Sequence, residues 1–368
     1  MNHKKNHEAK YGTGFSDNFI PLETLDLSKI DDFDSMLKAM SKTAFGGRTL
    51  GEAADVLTSM IEDKDCLKIL TLSGAMTVAK MGKVICDMIE DEMVDVVVST
   101  GALMAHGFIE AAGMKHFKYE PGRMNDDELY FKGYDRVYDT LELEQNMDDA
   151  EVVVKKVFAE IPEGSVVCSH ILNKALGKHL AEHTKGRGVL KSAYIKNVPV
   201  YVPAFTDSEI GLDFAIFLKR QEKDGKKQLV YNPFDDLNDY TDRVLKAKKL
   251  GIITIGGGVP RNWAQQVGPY LDIMSTRFLE RISVREGGYD NSDPYDKKFY
   301  YAIRICPEPA HWGGLSGCTY TEGVSWGKFV PKEKGGMHAE VLADATIAWP
   351  ILIKAVQQRL KKRNEKMK

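Results

Sequence analysis

The feature that most constrains this chain is a short apolar run ending in a turn of small residues, and it recurs. Residues 67–72, Leu-Lys-Ile-Leu-Thr-Leu, read as a strand and pass directly into Ser73-Gly74-Ala75. Helical spacing follows from 76 to about 92, and a second apolar run over 94–98 ends in Ser99-Thr100-Gly101-Ala102. Residues 251–255, Gly-Ile-Ile-Thr-Ile, show no polar alternation, as in a strand covered on both faces, and Gly256-Gly257-Gly258 closes that run. Strand, turn, helix, strand in this order predicts an α/β fold, a parallel Rossmann-like sheet flanked by helices. Such sheets take ligands beyond the carboxyl ends of their strands. All three turns are therefore candidate ligand contacts, and each taken alone is also an ordinary tight turn.

The rest of the chain fits around that sheet. Helical spacing marks 49–63, 149–161, 171–182 and 235–250, and strands are expected at 198–202 and 301–305. Residues 118–144 read as an excursion from the sheet and 275–300 as a charged surface connection. A last helix is expected from 345 to about 363, with 361–368 a frayed, charged end. Residues 1–30 are polar and aperiodic, an arm that a neighbouring subunit can order. With 368 residues, 43% of them hydrophobic, and no repeat or low-complexity linker, one domain over 31–368 is expected.

Composition also removes whole classes of function. A formal net charge of −3 gives no basic footprint for nucleic acid. No apolar run reaches the length of a membrane span, and the basic first residues precede no apolar core of a secretory signal. Five scattered cysteines form no Cys-x-x-Cys pair, so reduced thiols in a cytoplasmic protein are expected, and no metal site.

The chemistry concentrates between Gly313 and Lys328, Gly-Gly-Leu-Ser-Gly-Cys-Thr-Tyr-Thr-Glu-Gly-Val-Ser-Trp-Gly-Lys. Its glycines let backbone approach a ligand closely. Trp326 offers a π face and Glu322 a negative charge, both suited to a cation. Lys328 is the strong nucleophile candidate of the stretch. In an apolar pocket its amine loses proton affinity and can form an imine with a carbonyl or with another imine. On composition alone the stretch is also a glycine-rich surface loop with a solvated lysine. Gly256-Gly257-Gly258 lacks the spacing of the usual dinucleotide fingerprint and of the phosphate loop. Between a buried strand and a helix it still lets a phosphate or ribose approach the backbone, and Pro260 suits the first turn of that helix. Trp263, Trp312 and Trp326 fall in or beside the two glycine blocks, which favours a cation site over simple packing.

Glu322-Gly-Val-Ser-Trp-Gly-Lys328 resembles the active-lysine signature of the deoxyhypusine synthase family. Gly256-Gly-Gly-Val-Pro260, Pro203-Ala-Phe-Thr-Asp207 and Ala343-Asp-Ala345 match further family blocks in family order. A looser match runs from about 67 to about 360. The resemblance implies a Rossmann-like sheet in a homotetramer with sites shared across subunit interfaces. It implies NAD at Ser73, Gly74 and Ala75, at Thr100, Gly101 and Ala102, at Asp207, at Gly256, Gly257 and Gly258, and at Asp344 and Ala345. An acid after a strand commonly takes ribose hydroxyls, although Asp207 and Asp344 also read as helix caps. Lys328 and Glu322 are the implied catalytic residues. Trp326, Asp213, Asn262, Gly313, Gly314, Leu315, His106 and His311 are the positions expected to face a polyamine. In the implied reaction a hydride passes from the carbon beside a polyamine nitrogen to NAD, and Lys328 attacks the resulting imine. An acceptor amine then displaces Lys328 and the hydride is returned, so the net change is transfer of an aminobutyl group.

Four positions depart from the family pattern. Asn262 stands where a histidine is usual, Leu315 and Leu212 where aspartates are usual, and His106 where a glutamate is usual; Asp213 follows Leu212 directly. The lysine and its neighbours are kept while the polyamine-facing groups change. That pattern resembles the bacterial branch of the family, which includes homospermidine synthases. The expected function is NAD-dependent aminobutyl transfer between small polyamines, giving homospermidine from a spermidine or putrescine donor and a putrescine acceptor. Modification of a lysine in the hypusine-containing translation factor is the second reading. A protein that binds NAD or polyamine without turnover is the third, and the intact Lys328 and Glu322 argue against it.

Overall fold

Uninterrupted apolar runs give strands that must be covered on both faces, and the computed structural model, which describes residues 11–281 and 293–367, shows that arrangement. The main sheet has six strands: β1 (Cys66–Leu72), β2 (Val96–Ser99), β3 (Val200–Tyr201), β4 (Lys249–Ile255), β5 (Phe299–Ile305) and β6 (Met337–Val341). All pair in parallel, in the order β3-β2-β1-β4-β5-β6. The order reverses between β1 and β4, and the crevice outside the carboxyl ends of such a pair is where doubly wound sheets bind ligands. β1 and β4 run in register from Cys66 beside Lys249 to Leu72 beside Ile255, so their turns leave the sheet at the same level.

Side chains alternate between two apolar layers, as the strand period requires. Leu70, Leu72, Ile253, Ile255 and Ile303 face the helices Phe45–Glu62, Gly82–Glu90, Gly101–Ala111 and Ala345–Met367. Ile69, Val96, Val98, Ile252 and Ala302 face Tyr240, Val244, Ala264, Leu271, Tyr320 and Phe329. Each fully buried aliphatic side chain contributes about 1.5–3 kcal/mol. Two covered faces are the reason these strands have so little polar alternation to read.

Several elements differ from the sequence expectation. The helix expected from 76 begins only at Gly82, because Thr77 turns its hydroxyl to the Leu103 carbonyl (2.8 Å) and Lys80 takes a left-handed φ of 64°. The helix expected over 235–250 is Pro233–Lys246, and Lys249 and Leu250 pair with β1 as the start of β4. The excursion at 118–144 holds a three-stranded antiparallel sheet, Phe117–Lys118, Thr140–Leu143 and Tyr134–Val137, with the helix Asp126–Phe131. A helix at Val189–Lys196, ended by Asn197 at φ 54°, has no counterpart in the sequence reading. Residues 275–300 are not all surface: Ser275 and Phe299 are buried, and β5 begins at Phe299, while 282–292 lie outside the described residues. The final helix continues to Met367, so 361–367 is helical rather than frayed. In the arm, the described residues from 11 to 29 are mostly exposed, Phe15, Phe19 and Ile20 among them.

Candidate active site

Since β1 and β4 end in register, Ser73 lies against the triple glycine. Its hydroxyl accepts from the Gly257 N–H (2.8 Å) and donates to the Ile255 carbonyl (3.3 Å). Gly256 has φ +78°, and a Cβ there would collide with Ser73 Oγ. The turn after β2 is tied to the same place: Thr100 N–H donates to the Leu72 carbonyl (3.3 Å) and Thr100 Oγ1 to the Gly74 carbonyl (3.2 Å). Gly101 packs so closely on Ser208 that a Cβ would strike that side chain. Ser208 caps the helix Glu209–Lys223, accepting from Gly211 N–H at 3.1 Å. Asp207 is therefore not the cap, and its carboxylate is exposed beside the turn. Asp344 does act as a cap: Oδ1 accepts from the N–H (2.7 Å) and hydroxyl (2.6 Å) of Thr346, and these bonds hold the carboxyl below its ordinary range.

These turns have the character of a dinucleotide cradle. A Cβ at Gly258 would meet nothing within 4 Å, so that backbone faces open space. The helix Gly258–Gln265 begins without a side-chain cap, which leaves its first N–H groups available to an anion. Ser73, Gly74, Ala75, Thr100, Gly101, Ala102, Asp207 and the triple glycine all follow the ends of β1, β2, β3 and β4, and Asp344 and Ala345 follow β6. Among them, NAD would find small residues for its phosphates and an exposed carboxylate for a ribose.

Lys328 is placed by its own backbone. The short helix Tyr320–Ser325 starts on a Thr319 cap and ends at Trp326, and Gly327 turns the chain at φ 71°. Lys328 then donates its N–H to the Gly323 carbonyl (3.0 Å) and accepts from Phe299 N–H (2.9 Å), while Val330 N–H donates to the Phe299 carbonyl (2.9 Å). This stitch to the start of β5 directs the side chain inward, where the residue is only 9% exposed. Nζ donates to Asn262 Oδ1 (3.0 Å) and lies 5.8 Å from the Trp326 ring centroid. Burial lowers the lysine pKa and the nearby Arg261 charge adds to that, while Cys318 and Glu322 oppose it. An amine in that state is closer to its nucleophilic free form.

Two buried arginines hold the loop that carries the glycines. Arg261 donates to the carbonyls of Leu315 (3.4 Å), Ser316 (3.3 Å) and Cys318 (2.7 Å), and its guanidinium stands over the Tyr320 ring. Arg304 donates to Ser316 (2.5 Å) and Cys318 (3.1 Å) carbonyls and pairs with Glu340 (2.6 Å). Glu340 in turn accepts from Tyr320 N–H (3.1 Å), at the head of the lysine helix. The sequence reading missed Arg261, Arg304 and Glu340. One signal was available: Arg304 is a lone charge within the apolar strand Tyr301-Ala-Ile-Arg-Ile305.

The structure thus brings Lys328, Asn262, Trp326 and Glu322 together, with Gly313, Gly314 and Leu315 on the adjoining loop and His311 exposed at its start. Glu322 is exposed. Trp263 is corrected to a packing role: it stacks on Tyr240 and tilts against Tyr201, with centroids 5.1 and 5.6 Å away. Asp213 lies elsewhere, with Glu209 around a small cavity beside the helix Gly101–Ala111. Burial and the charges of Glu151 and Glu209 push its carboxyl up to about 6. His106 is also apart from the lysine, buried against Glu142.

A parallel, doubly wound sheet with a glycine-lined carboxyl edge and a buried, desolvated lysine defines a Rossmann-like α/β protein that carries a candidate nucleophile. The chain belongs to the deoxyhypusine synthase family, whose family model matches residues 35–356. It is 35% identical over 345 residues to "Probable deoxyhypusine synthase 2" of Methanosarcina acetivorans, covering 92% of this chain and 90% of that one. It is 31% identical over 319 residues to a "Deoxyhypusine synthase-like protein" of Chlorobaculum tepidum, covering 86% and 84%. The crystal structure of a candidate deoxyhypusine synthase from Entamoeba histolytica matches with a TM-score of 0.55 at 15% identity, over 91% of this chain and 96% of that one. At that identity the likeness concerns the fold. Among the described residues, no helix is long and apolar enough to cross a membrane.

Proposed function

We propose that this chain is an NAD-dependent aminobutyltransferase that acts on polyamines through an imine at Lys328. The observation that carries this reading is the state of the Lys328 amine: buried, lowered in pKa, and held by the neutral amide of Asn262 beside an indole face. Asn262 orients Nζ without adding a charge that would favour the ammonium. The chemistry that NAD supplies at the glycine-lined edge is the reversible removal and return of one hydride. Nζ adds to the imine carbon of the oxidised donor, and the donor's other amine fragment leaves. The aminobutyl group is then carried as a lysine imine until an acceptor amine adds to the same carbon and Lys328 departs. Glu322 is the negative group beside Lys328 suited to a cationic end of a polyamine, with the Trp326 ring as its aromatic partner.

The acceptor in this proposal is putrescine and the product homospermidine. The support is local: Asn262, Leu315 and Leu212 put neutral side chains at positions where the family usually carries ionisable ones, with the amine nucleophile intact. The names of the archaeal relatives favour the second reading, modification of a protein lysine. Trp312, Trp326, Leu315 and Leu212 are exposed large apolar side chains, Trp312 at 71% and Trp326 at 59%. Their exposure supports sites completed across subunits, and the proposal takes the chain as a cytoplasmic homotetramer with one catalytic domain over 31–368 and an arm over 1–30.

Borohydride trapping with spermidine and NAD, read by intact mass, tests the lysine imine. A mass gain of one aminobutyl group, lost in Lys328→Arg, is expected; no adduct would reduce the chain to a binding protein. Product chromatography with putrescine as acceptor, run against the translation-factor acceptor, separates the two enzyme readings.

A further inference from the structure

A second polar cluster lies apart from the lysine. His106 comes from the helix Gly101–Ala111, His116 from the loop before Phe117–Lys118, and Glu142 from the strand Thr140–Leu143. His106 Nδ1 and His116 Nε2 approach the same oxygen, Glu142 Oε2, at 3.2 and 2.5 Å, and the three ligand atoms lie within 4.8 Å of one another. The three side chains are 7%, 0% and 1% exposed. His116 Nε2 touches Glu142 Oε2 but lies off the line a hydrogen bond needs, so this buried nitrogen has a close carboxylate and no well-directed hydrogen bond. Fully buried polar atoms are rarely left in that condition.

We propose that His106 Nδ1, His116 Nε2 and Glu142 Oε2 form a binding site for a divalent transition-metal cation of the zinc class, with a fourth position left to water. Two imidazoles and one carboxylate are a donor set for a borderline cation rather than for magnesium or calcium. A cation between them would also give the His116 lone pair a directed partner in place of the misaligned contact with Glu142. The surroundings match what ligands usually have behind them. The other Glu142 oxygen accepts from Leu143 N–H (3.1 Å) and Asn146 Nδ2 (2.6 Å), which turns Oε2 toward the imidazoles. His106 Nε2 faces Glu209 Oε1 at 3.9 Å, so a carboxylate stands behind that ring.

Binding requires two adjustments. Metal–ligand distances of about 2.0–2.2 Å place neighbouring ligand atoms roughly 3 Å or more apart, so His116 and Glu142 must separate slightly. Lys80, whose Nζ lies 2.7 Å from His116 Nδ1, must release that nitrogen so that it can carry the ring proton. Lys80 is exposed and already 3.8 Å from Glu110, which can take it instead. The bound ion would pin the antiparallel excursion to the helix that rises from the β2 turn. The cluster of Cys168, His170 and Asp236 is the competing location, but there both Asp236 oxygens accept backbone N–H groups of Ser169 and His170 (3.0 Å each) as a helix cap.

The test uses the full chain, stripped with chelator, and cobalt(II) as the probe. One equivalent is expected to bind with visible d–d bands and without thiolate charge transfer, and to raise the thermal midpoint. His116→Gln and Glu142→Gln should each weaken uptake by at least about tenfold, the loss that even outer-shell partners cause, with unchanged far-ultraviolet circular dichroism. Lys80→Met, a surface change that needs no refolding of the core, should tighten it. No uptake, uptake indifferent to all three substitutions, or thiolate charge transfer that places the ion at Cys168 would overturn the proposal.

Discussion

Nζ of Lys328 donates to Oδ1 of Asn262 at 3.0 Å, and the amide restrains the amine without charging it. Burial and Arg261 depress the lysine pKa, and a carboxylate at position 262 would oppose them. Asn262→Asp is therefore expected to raise the lysine pKa. The reacting form is the free amine, so the ascending limb of the rate against pH should move to higher pH. Each unit of movement costs about tenfold in rate at a fixed pH below the limb. Single-turnover imine formation across pH checks this, and a variant profile superimposable on the wild type would count against the free amine as the limiting species.

Lys328→Arg keeps a cation in the pocket but cannot form the imine, because a guanidinium is effectively never deprotonated. NAD affinity by calorimetry should stay near the wild-type value, because in the proposed reading the dinucleotide is met by the backbone of the small-residue turns and not by this side chain. Transfer should fall by at least about two orders of magnitude, the scale of lost covalent catalysis. Oxidation of the donor with release of free imine can persist, because hydride removal precedes attack by the lysine. Near-normal product formation would mean direct transfer between amines.

The sheet was legible because β1 and β4 are covered on both faces, and that leaves unbroken apolar runs ending in small-residue turns. Lys328, Trp326 and Asn262 were legible through one motif and one glycine block. What was not legible depends on long-range partners. Arg261 and Arg304 reach carbonyls at 315–318, and a charged residue in sequence carries no sign of a backbone acceptor so far along the chain. Trp263 read as a ligand face because of its neighbours, whereas Tyr201 and Tyr240, remote in sequence, claim its ring. Thr77 and Lys80 interrupt a helix that apolar spacing alone extends, since a left-handed residue leaves that spacing intact.

His338 on β6 packs under the lysine loop, with ring centroids 5.5 Å from Tyr320 and 5.6 Å from Phe329. Burial, aided by the Lys332 charge, lowers its pKa from 6.5 to about 4. The folded protein therefore keeps the imidazole neutral, while the unfolded chain takes up a proton once the pH falls below about 6.5. Stability from this residue is complete above that value and is lost as the pH falls from 6.5 toward 4. At about 1.4 kcal/mol per unit, the loss reaches about 3 kcal/mol at most. Denaturant midpoints for wild type and His338→Phe, compared at pH values in and above this window, should converge toward neutrality only in their pH slopes. An equally steep acid loss in the phenylalanine variant would assign the effect to the carboxylates.

Arg304 links three parts of the lysine loop through one guanidinium: the Ser316 and Cys318 carbonyls and Glu340, which itself holds Tyr320 N–H. Arg304→Met leaves those carbonyls without their donor and Glu340 without its counter-charge. Breaking a buried pair on one side typically costs about 3–5 kcal/mol, and the partial exposure of Glu340 argues for the lower end, about 3 kcal/mol. Arg304→Lys keeps the charge but loses the planar fork that serves two carbonyls and a carboxylate together, so it should recover only part of the stability. The loop that carries Leu315 and leads into the lysine helix should then be looser in both variants. Borohydride trapping at Lys328 is expected to slow by more than NAD affinity falls, because the turns after β1 and β2 do not rest on Arg304, whereas Gly257 packs on Ser316, whose carbonyl Arg304 holds. Denaturant midpoints and trapping rates for the two variants check this together. Wild-type stability in Arg304→Met would show that the carbonyls and Glu340 find other donors, and that the loop is held by Arg261 alone.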